Sequence, residues 1–415
     1  MAGYFTKYKI TFIYFLSLIV VSGVSIIIIF TTKDNNNKDY KKYQSKERSD
    51  NNNNSTEIEI KNNGLIVLKN DTELSKPNVK MNAEFELVQI SNNMTVLLIS
   101  DPFATRYQLQ IQINYGYMID TVSGISHFGE HMNFQGSEKY NVNDPISHYF
   151  FGVKGFIGNA ETSSDNQYYY LTLPFDYLMD KAFDIFVDAF RYPLYLPDVI
   201  KNEIQAVNHE FYDKINENII KEDIIRQLSS NKTSFNGFAC GNNETLKVNE
   251  SESLSKKLKG YHMVIKNPSN LFFVFYSNKT MNESKEYALK YLNYTMHEFP
   301  DDEIDLEDQE QLKENINNLE NIEIFDDKLY KHGFFYNTNE KTNELNIYYY
   351  IGQSNNKELK FDIISYYEYL FNSKSLSQIL ISKNFIASNE KVTIRREPYL
   401  KNNDYFYVSI ILTEE

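Results

Sequence analysis

The chain has a single cysteine, Cys240, and no tryptophan. One cysteine excludes an intramolecular disulfide framework and any cysteine-rich zinc module. Basic charge is also in deficit: 42 Lys+Arg stand against 56 Asp+Glu, a formal net charge of -14. That balance argues against broad nucleic-acid binding, which needs a basic footprint. Apolar residues are not lacking. They make up 42% of the 415 residues, which excludes global disorder, and the length allows two or three globular units. The absence of tryptophan goes with an excess of Asn, Lys, Ile and Tyr, a compositional skew that devalues Asn-rich stretches as signals.

Residues 11–31 (TFIYFLSLIVVSGVSIIIIFT) form a run of 21 residues without a charge, after a short tail at 1–10. As a helix the run would cross the ~30 Å hydrocarbon core. It reads as a transmembrane signal anchor, with a cleaved signal peptide or a buried core helix as alternatives. Lys7 and Lys9 precede it, while Lys33, Lys38, Lys41 and Lys42 follow, so charge does not settle orientation. Residues 32–80 read as a polar, Asn-rich spacer. Sequons at Asn70, Asn93, Asn231, Asn278 and Asn293 permit a lumenal or extracellular location.

Folded sequence is expected from about residue 81. Val96 to Ser100, the strict alternation from Tyr107 to Tyr115, Tyr168 to Leu173, and Leu271 to Tyr276 read as strands. Leu178 to Phe190 and Pro197 to Asn216 carry helical spacing. The acidic stretch 298–327 reads as a linker closing a domain at 81–297. Residues 328–415 read as a second α+β unit, with strands at Leu345 to Ile351 and Tyr405 to Leu412 and a helix near Phe361 to Leu370. This unit looks incomplete beside the first.

The chemistry centres on His127-Phe128-Gly129-Glu130-His131. On a helix the two histidines are i and i+4, so both imidazoles leave one face. That spacing suits two nitrogen ligands of one Zn²⁺, with Glu130 near enough to handle the proton of a reacting water. The order is that of the H-x-x-E-H metallopeptidases. A third ligand is needed. Glu203 and Glu210 share a stripe with Val207 on the helix from Pro197, bordering an apolar row. Two carboxylates placed there fit either a metal site or a solvated acidic edge. His209 projects about 100° away from Glu210.

Gly124 to Leu246 resembles the insulinase/pitrilysin family of zinc metallopeptidases. The resemblance rests on five motifs in order: Gly124-Ile125-Ser126-His127-Phe128-Gly129-Glu130-His131-Met132; Phe134-Gln135-Gly136-Ser137-Glu138-Lys139-Tyr140; Asn159-Ala160-Glu161-Thr162-Ser163; Glu203 through Val207 to Glu210; and Gly241-Asn242-Asn243-Glu244-Thr245-Leu246. It implies an α+β fold, a mixed β-sheet packed by helices on one side. It implies zinc on His127, His131 and Glu210, with Glu130 as general base and Glu203 orienting a ligand histidine. Asn159, Ala160 and Glu161 would form the edge strand that receives a peptide substrate, and Phe134 would line the pocket beside the scissile bond.

In that family a second half of the molecule completes the active site, and its substrate-contacting Arg and Tyr are expected in a segment beyond the motifs present here. The sequence is therefore expected to encode a membrane-anchored zinc endopeptidase or oligopeptidase. It would work with a second insulinase-like half or a dimer partner, and would be secreted if the N-terminal segment is cleaved. The alternative is an assembly subunit that binds zinc and peptide without efficient cleavage.

Overall fold

The computed structural model describes residues 24–31, 64–74, 82–174, 178–214, 224–230, 236–237, 239–247, 250–319, 333–337, 343–353, 365, 369, 376–388, 391–400 and 403–413. The chain divides into two units, Asn37–Ile322 and Met1–Asn36 with Glu323–Glu415. Strand β1 (Val24–Thr31) belongs to the latter.

In the Asn37–Ile322 unit the order is β2 (Leu65–Lys69), β3 (Glu84–Ile90), β4 (Thr95–Ser100), β5 (Arg106–Ile113), α1 (Ile125–Asn133), α2 (Pro145–Phe150), β6 (Ile157–Thr162), β7 (Gln167–Pro174), α3 (Met179–Arg191), α4 (Pro197–Lys214), α5 (Ser251–Ile265), β8 (Leu271–Ser277), α6 (Met281–Leu292) and α7 (Leu306–Asn318). Seven strands form one mixed sheet in the order β2-β3-β4-β8-β5-β7-β6. Only β4 and β8 run parallel; the other neighbours are antiparallel.

Alternation in the sequence becomes two faces of this sheet. Tyr107, Leu109, Ile111 and Ile113 are buried, while Gln108, Gln110 and Gln112 between them are only half-buried. The buried face continues through Tyr169, Leu171 and Leu173 of β7 and Leu271, Phe273 and Phe275 of β8. Helices cover it with Phe128, Phe183, Phe186, Phe190, Leu258 and Tyr261. This is the expected α+β architecture. Local chemistry sets helix starts: Asp144 caps α2, and Thr280 with Glu283 makes a capping box on α6.

Folded structure begins before residue 81, because β2 pairs with β3 in register Leu65 to Ile90. The acidic stretch is also structured as far as residue 319. Asp305 caps α7 by accepting from the Asp308 amide at 3.0 Å. Lys257 bridges Asp308 at 2.6 Å and Asp305 at 3.1 Å, and Asn315 donates to the Ile119 carbonyl at 3.0 Å. Leu312 is buried at 1% exposure. Residues 298–319 thus pack as part of this unit rather than as a tether.

The other unit carries β1, β9 (Gly333–Asn337), β10 (Asn343–Gln353), β11 (Val392–Leu400) and β12 (Asn403–Leu412), with α8 (Leu376–Ser382) between β10 and β11. Its sheet runs β11-β12-β10-β1-β9. Here β1 pairs parallel to β10 and antiparallel to β9. Residues 24–31, expected in a membrane-crossing helix, therefore form a strand. Their run of β-branched isoleucines suits a sheet as well as it suits hydrocarbon. Residues 11–23 lie outside the described residues, as does most of the helix expected near Phe361 to Leu370. Among the described residues no helix is long and apolar enough to cross a membrane.

Candidate metal centre and peptide-binding edge

Helix α1 carries the paired histidines, and its start is fixed by two glycines. Gly124 precedes α1 at φ +88°, and a Cβ there would lie 2.3 Å from the Cα of Gly241, itself at φ +78°. Only glycine at 124 permits both the left-handed backbone and this approach. Below it, Asp120 accepts the Gly124 and Ser126 amides at 3.1 and 3.3 Å and also the Ser126 hydroxyl. Burial pushes the Asp120 carboxyl up to about 8, against the opposing pull of the Ser126 and Gly124 donors and the Arg226 charge. The Ser126 hydroxyl also lies 2.7 Å from the Tyr261 hydroxyl, which accepts from Gln167 at 2.7 Å. This network ties α1 to α5 and β7.

The close glycine contact brings the Cys240 carbonyl to His127 Nδ1, at 2.6 Å. A carbonyl only accepts, so the proton sits on Nδ1 and Nε2 presents its lone pair. Glu203 on α4 does the corresponding work for His131, with Oε1 2.8 Å from Nδ1. Both Nε2 atoms then face Glu210, two turns along the same helix. Glu210 Oε2 lies 3.1 Å from His131 Nε2 and 3.6 Å from His127 Nε2. The three ligand atoms all fall within 4.8 Å of one another. A tetrahedral Zn²⁺ with bonds of ~2.0–2.1 Å puts its ligand atoms about 3.3 Å apart, so two nitrogens and one carboxylate oxygen here fit that ion.

Glu130, on the same helix as the histidines, is buried at 8% exposure. Thr162 at the end of β6 donates its hydroxyl to Glu130 Oε2 at 2.5 Å. Strand β6 pairs with β7 and ends the sheet order, so its outer edge carries no strand among the described residues. Asn159 and Glu161 are exposed on it and Ala160 is half-buried. Phe134 closes α1 as its C-terminal cap, half-buried, its ring 6.0 Å from Tyr169.

The fold thus gathers His127, His131, Glu210, Glu130 and Glu203 into one cluster and brings β6 against it through Thr162. Of the Glu203 and Glu210 stripe, each carboxylate meets an imidazole: Glu203 at His131 Nδ1 and Glu210 at His131 Nε2. His209 is exposed on the other side of α4. Three contributors were not read from the sequence. The Cys240 carbonyl is backbone and carries no residue signal. Thr162 stood inside a quoted motif without a role. Asp120 lies outside the quoted motifs.

Comparison with known proteins adds an independent line. Residues 95–239 match the family model described as insulinase (peptidase family M16). The A-factor-processing enzyme of Saccharomyces cerevisiae is 32% identical over 165 residues, 39% of this chain and 16% of that protein. Protease 3 of Escherichia coli is 28% identical over 212 residues, 50% of this chain and 22% of its own length. The chain therefore spans about a fifth of the length of these relatives. Among solved structures, pitrilysin superposes with a TM-score of 0.67 at 21% identity, covering 85% of this chain and 36% of its own. The first half of the periplasmic protease PqqL from Escherichia coli gives 0.57 at 15% identity, covering 79% and 68%. At these identities the superpositions speak for the fold.

Proposed function

We propose that this chain, which through residues 95–239 belongs to the insulinase family of peptidases, is a zinc-dependent metalloendopeptidase or oligopeptidase. The observation that carries the reading is the convergence of His127 Nε2, His131 Nε2 and Glu210 Oε2, with both Nδ1 atoms already engaged by outer partners. Those three residues would hold the ion. Bound there, Zn²⁺ supplies a Lewis acid for the scissile carbonyl and acidifies water.

The remaining steps belong to the chain's own groups. A peptide adds to the free edge of β6 along Asn159, Ala160 and Glu161 by main-chain hydrogen bonds. Phe134 packs beside the bond to be cut. Glu130 takes the proton of the attacking water and returns it to the leaving amine. Glu203 and the Cys240 carbonyl hold the two imidazoles in the ligating tautomer, since an outer acceptor fixes which nitrogen carries the proton. A second insulinase-like half, or a dimer partner, would close the site over the substrate. The sequons at Asn70, Asn93, Asn278 and Asn293 fit a lumenal or extracellular catalytic unit, whereas membrane anchoring through 11–31 would require β1 to leave its sheet. Carbonate extraction and glycosidase sensitivity of the expressed protein test that placement.

The test of the peptidase reading is direct. The full chain is expressed, its zinc content measured, and quenched peptides assayed with the parent and Glu130→Gln, alone and with family members added as partners. One zinc per chain and a loss of cleavage of about 10²–10⁴-fold in the variant are expected. Zinc binding without Glu130-dependent cleavage in any combination would favour the assembly-subunit reading instead.

A further inference from the structure

Most of the side chains at the centre have an evident task; Thr162 does not. It is the last residue of β6, which ends the sheet among the described residues and packs near the motif helix. Its hydroxyl donates to Glu130 Oε2 at 2.5 Å, a short bond to a carboxylate that is 8% exposed. Thr162 shares a strand face with Gly158 and Ala160, since side chains alternate, and this is the face turned to α1. The chain just beyond it is pinned. The Ser163 carbonyl accepts from the Tyr117 amide at 3.1 Å, and the Ser164 carbonyl from Met118 at 2.9 Å. A Cβ at Gly116 would lie 2.0 Å from the Ser163 oxygen, so the loop seats directly against that glycine. Threonine is stiff at χ1, so a pinned backbone means a fixed donor.

We propose that Thr162 is a positioning residue for the peptidase reaction: its hydroxyl holds the Glu130 carboxylate in the orientation from which it acts on water. The assignment rests on the peptidase reading above. It makes the strand that receives the peptide and the group that moves the proton parts of one rigid piece. Peptide binding itself uses the backbone of β6 and does not require the hydroxyl. The role therefore falls on the chemical step and not on affinity.

Thr162→Val removes the donor at nearly constant shape, and Thr162→Ser keeps it. In the zinc-loaded full chain, Thr162→Val is expected to lower kcat by about 10- to 100-fold, the range of a hydrogen bond to a charged group, with KM within about threefold. Thr162→Ser is expected to restore kcat to within about fivefold of the parent, with some loss for its freer rotor. Zinc content should equal the parent's in both. Labelled peptide should bind Glu130→Gln and the Glu130→Gln/Thr162→Val double variant equally in fluorescence anisotropy. A crystal structure of Thr162→Val should show the Glu130 side chain turned from its place in the parent.

A Thr162→Val protein with parental kcat and an unmoved Glu130 would overturn the assignment. So would a Thr162→Ser protein no better than valine, or a double variant that has lost peptide affinity. A parent protein without Glu130-dependent cleavage contradicts the peptidase reading itself, a failure distinct from these.

Discussion

Each imidazole of the centre is held at Nδ1 by an outer acceptor and turns Nε2 toward Glu210. Glu203 is the outer acceptor with a side chain that can be removed. Glu203→Ala is expected to weaken zinc binding about 10–100-fold in chelator competition. Unchanged zinc affinity would reduce Glu203 to a packing residue. A second residue-scale expectation concerns Lys266, buried at 0% exposure with its ammonium on Asn133 Oδ1 at 2.7 Å and Tyr195 at 3.3 Å. Burial lowers its pKa from 10.5 to about 7. Between about pH 7 and 10.5 the unfolded chain then binds more protons than the folded one, so this group's share of stability rises with pH across that window. Urea unfolding of the parent at pH 7 and 9 should show that slope, and Lys266→Met should flatten it. Glu210 was singled out only by the family resemblance, whereas the histidine pair was legible because an i, i+4 spacing on a helix is written in sequence. Lys266 was not, because a lysine that folds inward is spelled like one that does not.

At the scale of elements, the acidic stretch after residue 298 is the informative disagreement. Its charge density suggested a linker between units. Phe299, Ile304 and Leu312 are nonetheless buried, and Lys257 and Lys259 neutralise Asp305, Asp308 and Glu303 at its start. Leu312→Ala is expected to destabilise the unit by about 2–5 kcal/mol in urea unfolding, the cost of emptying a core leucine site. A flexible linker would lose nothing. The strands at β4, β5, β7, β8, β10 and β12 were readable from alternation or β-rich runs, since a half-buried sheet writes period 2 into the chain. Val24–Thr31 was not, because an unbroken apolar run obeys no period and fits a strand or a spanning helix alike.

For the whole molecule, the centre is assembled from parts far apart in sequence. His127 and Cys240 are 113 residues apart and His131 and Glu210 are 79 apart, so the candidate ligand set comes together only in the folded unit. The family resemblance made that assembly legible where spacing alone left Glu203 and Glu210 undecided. The resemblance left unstated how β6 is joined to Glu130, which only the packed structure displays. The central claim is that His127, His131 and Glu210 are ligands of one zinc ion. Anomalous diffraction at the zinc edge from crystals of the zinc-loaded full chain tests it most directly. The account predicts a single strong peak about 2.0–2.2 Å from both Nε2 atoms and a Glu210 oxygen. A zinc peak bound elsewhere, or none at this cluster while the protein is folded, would contradict it.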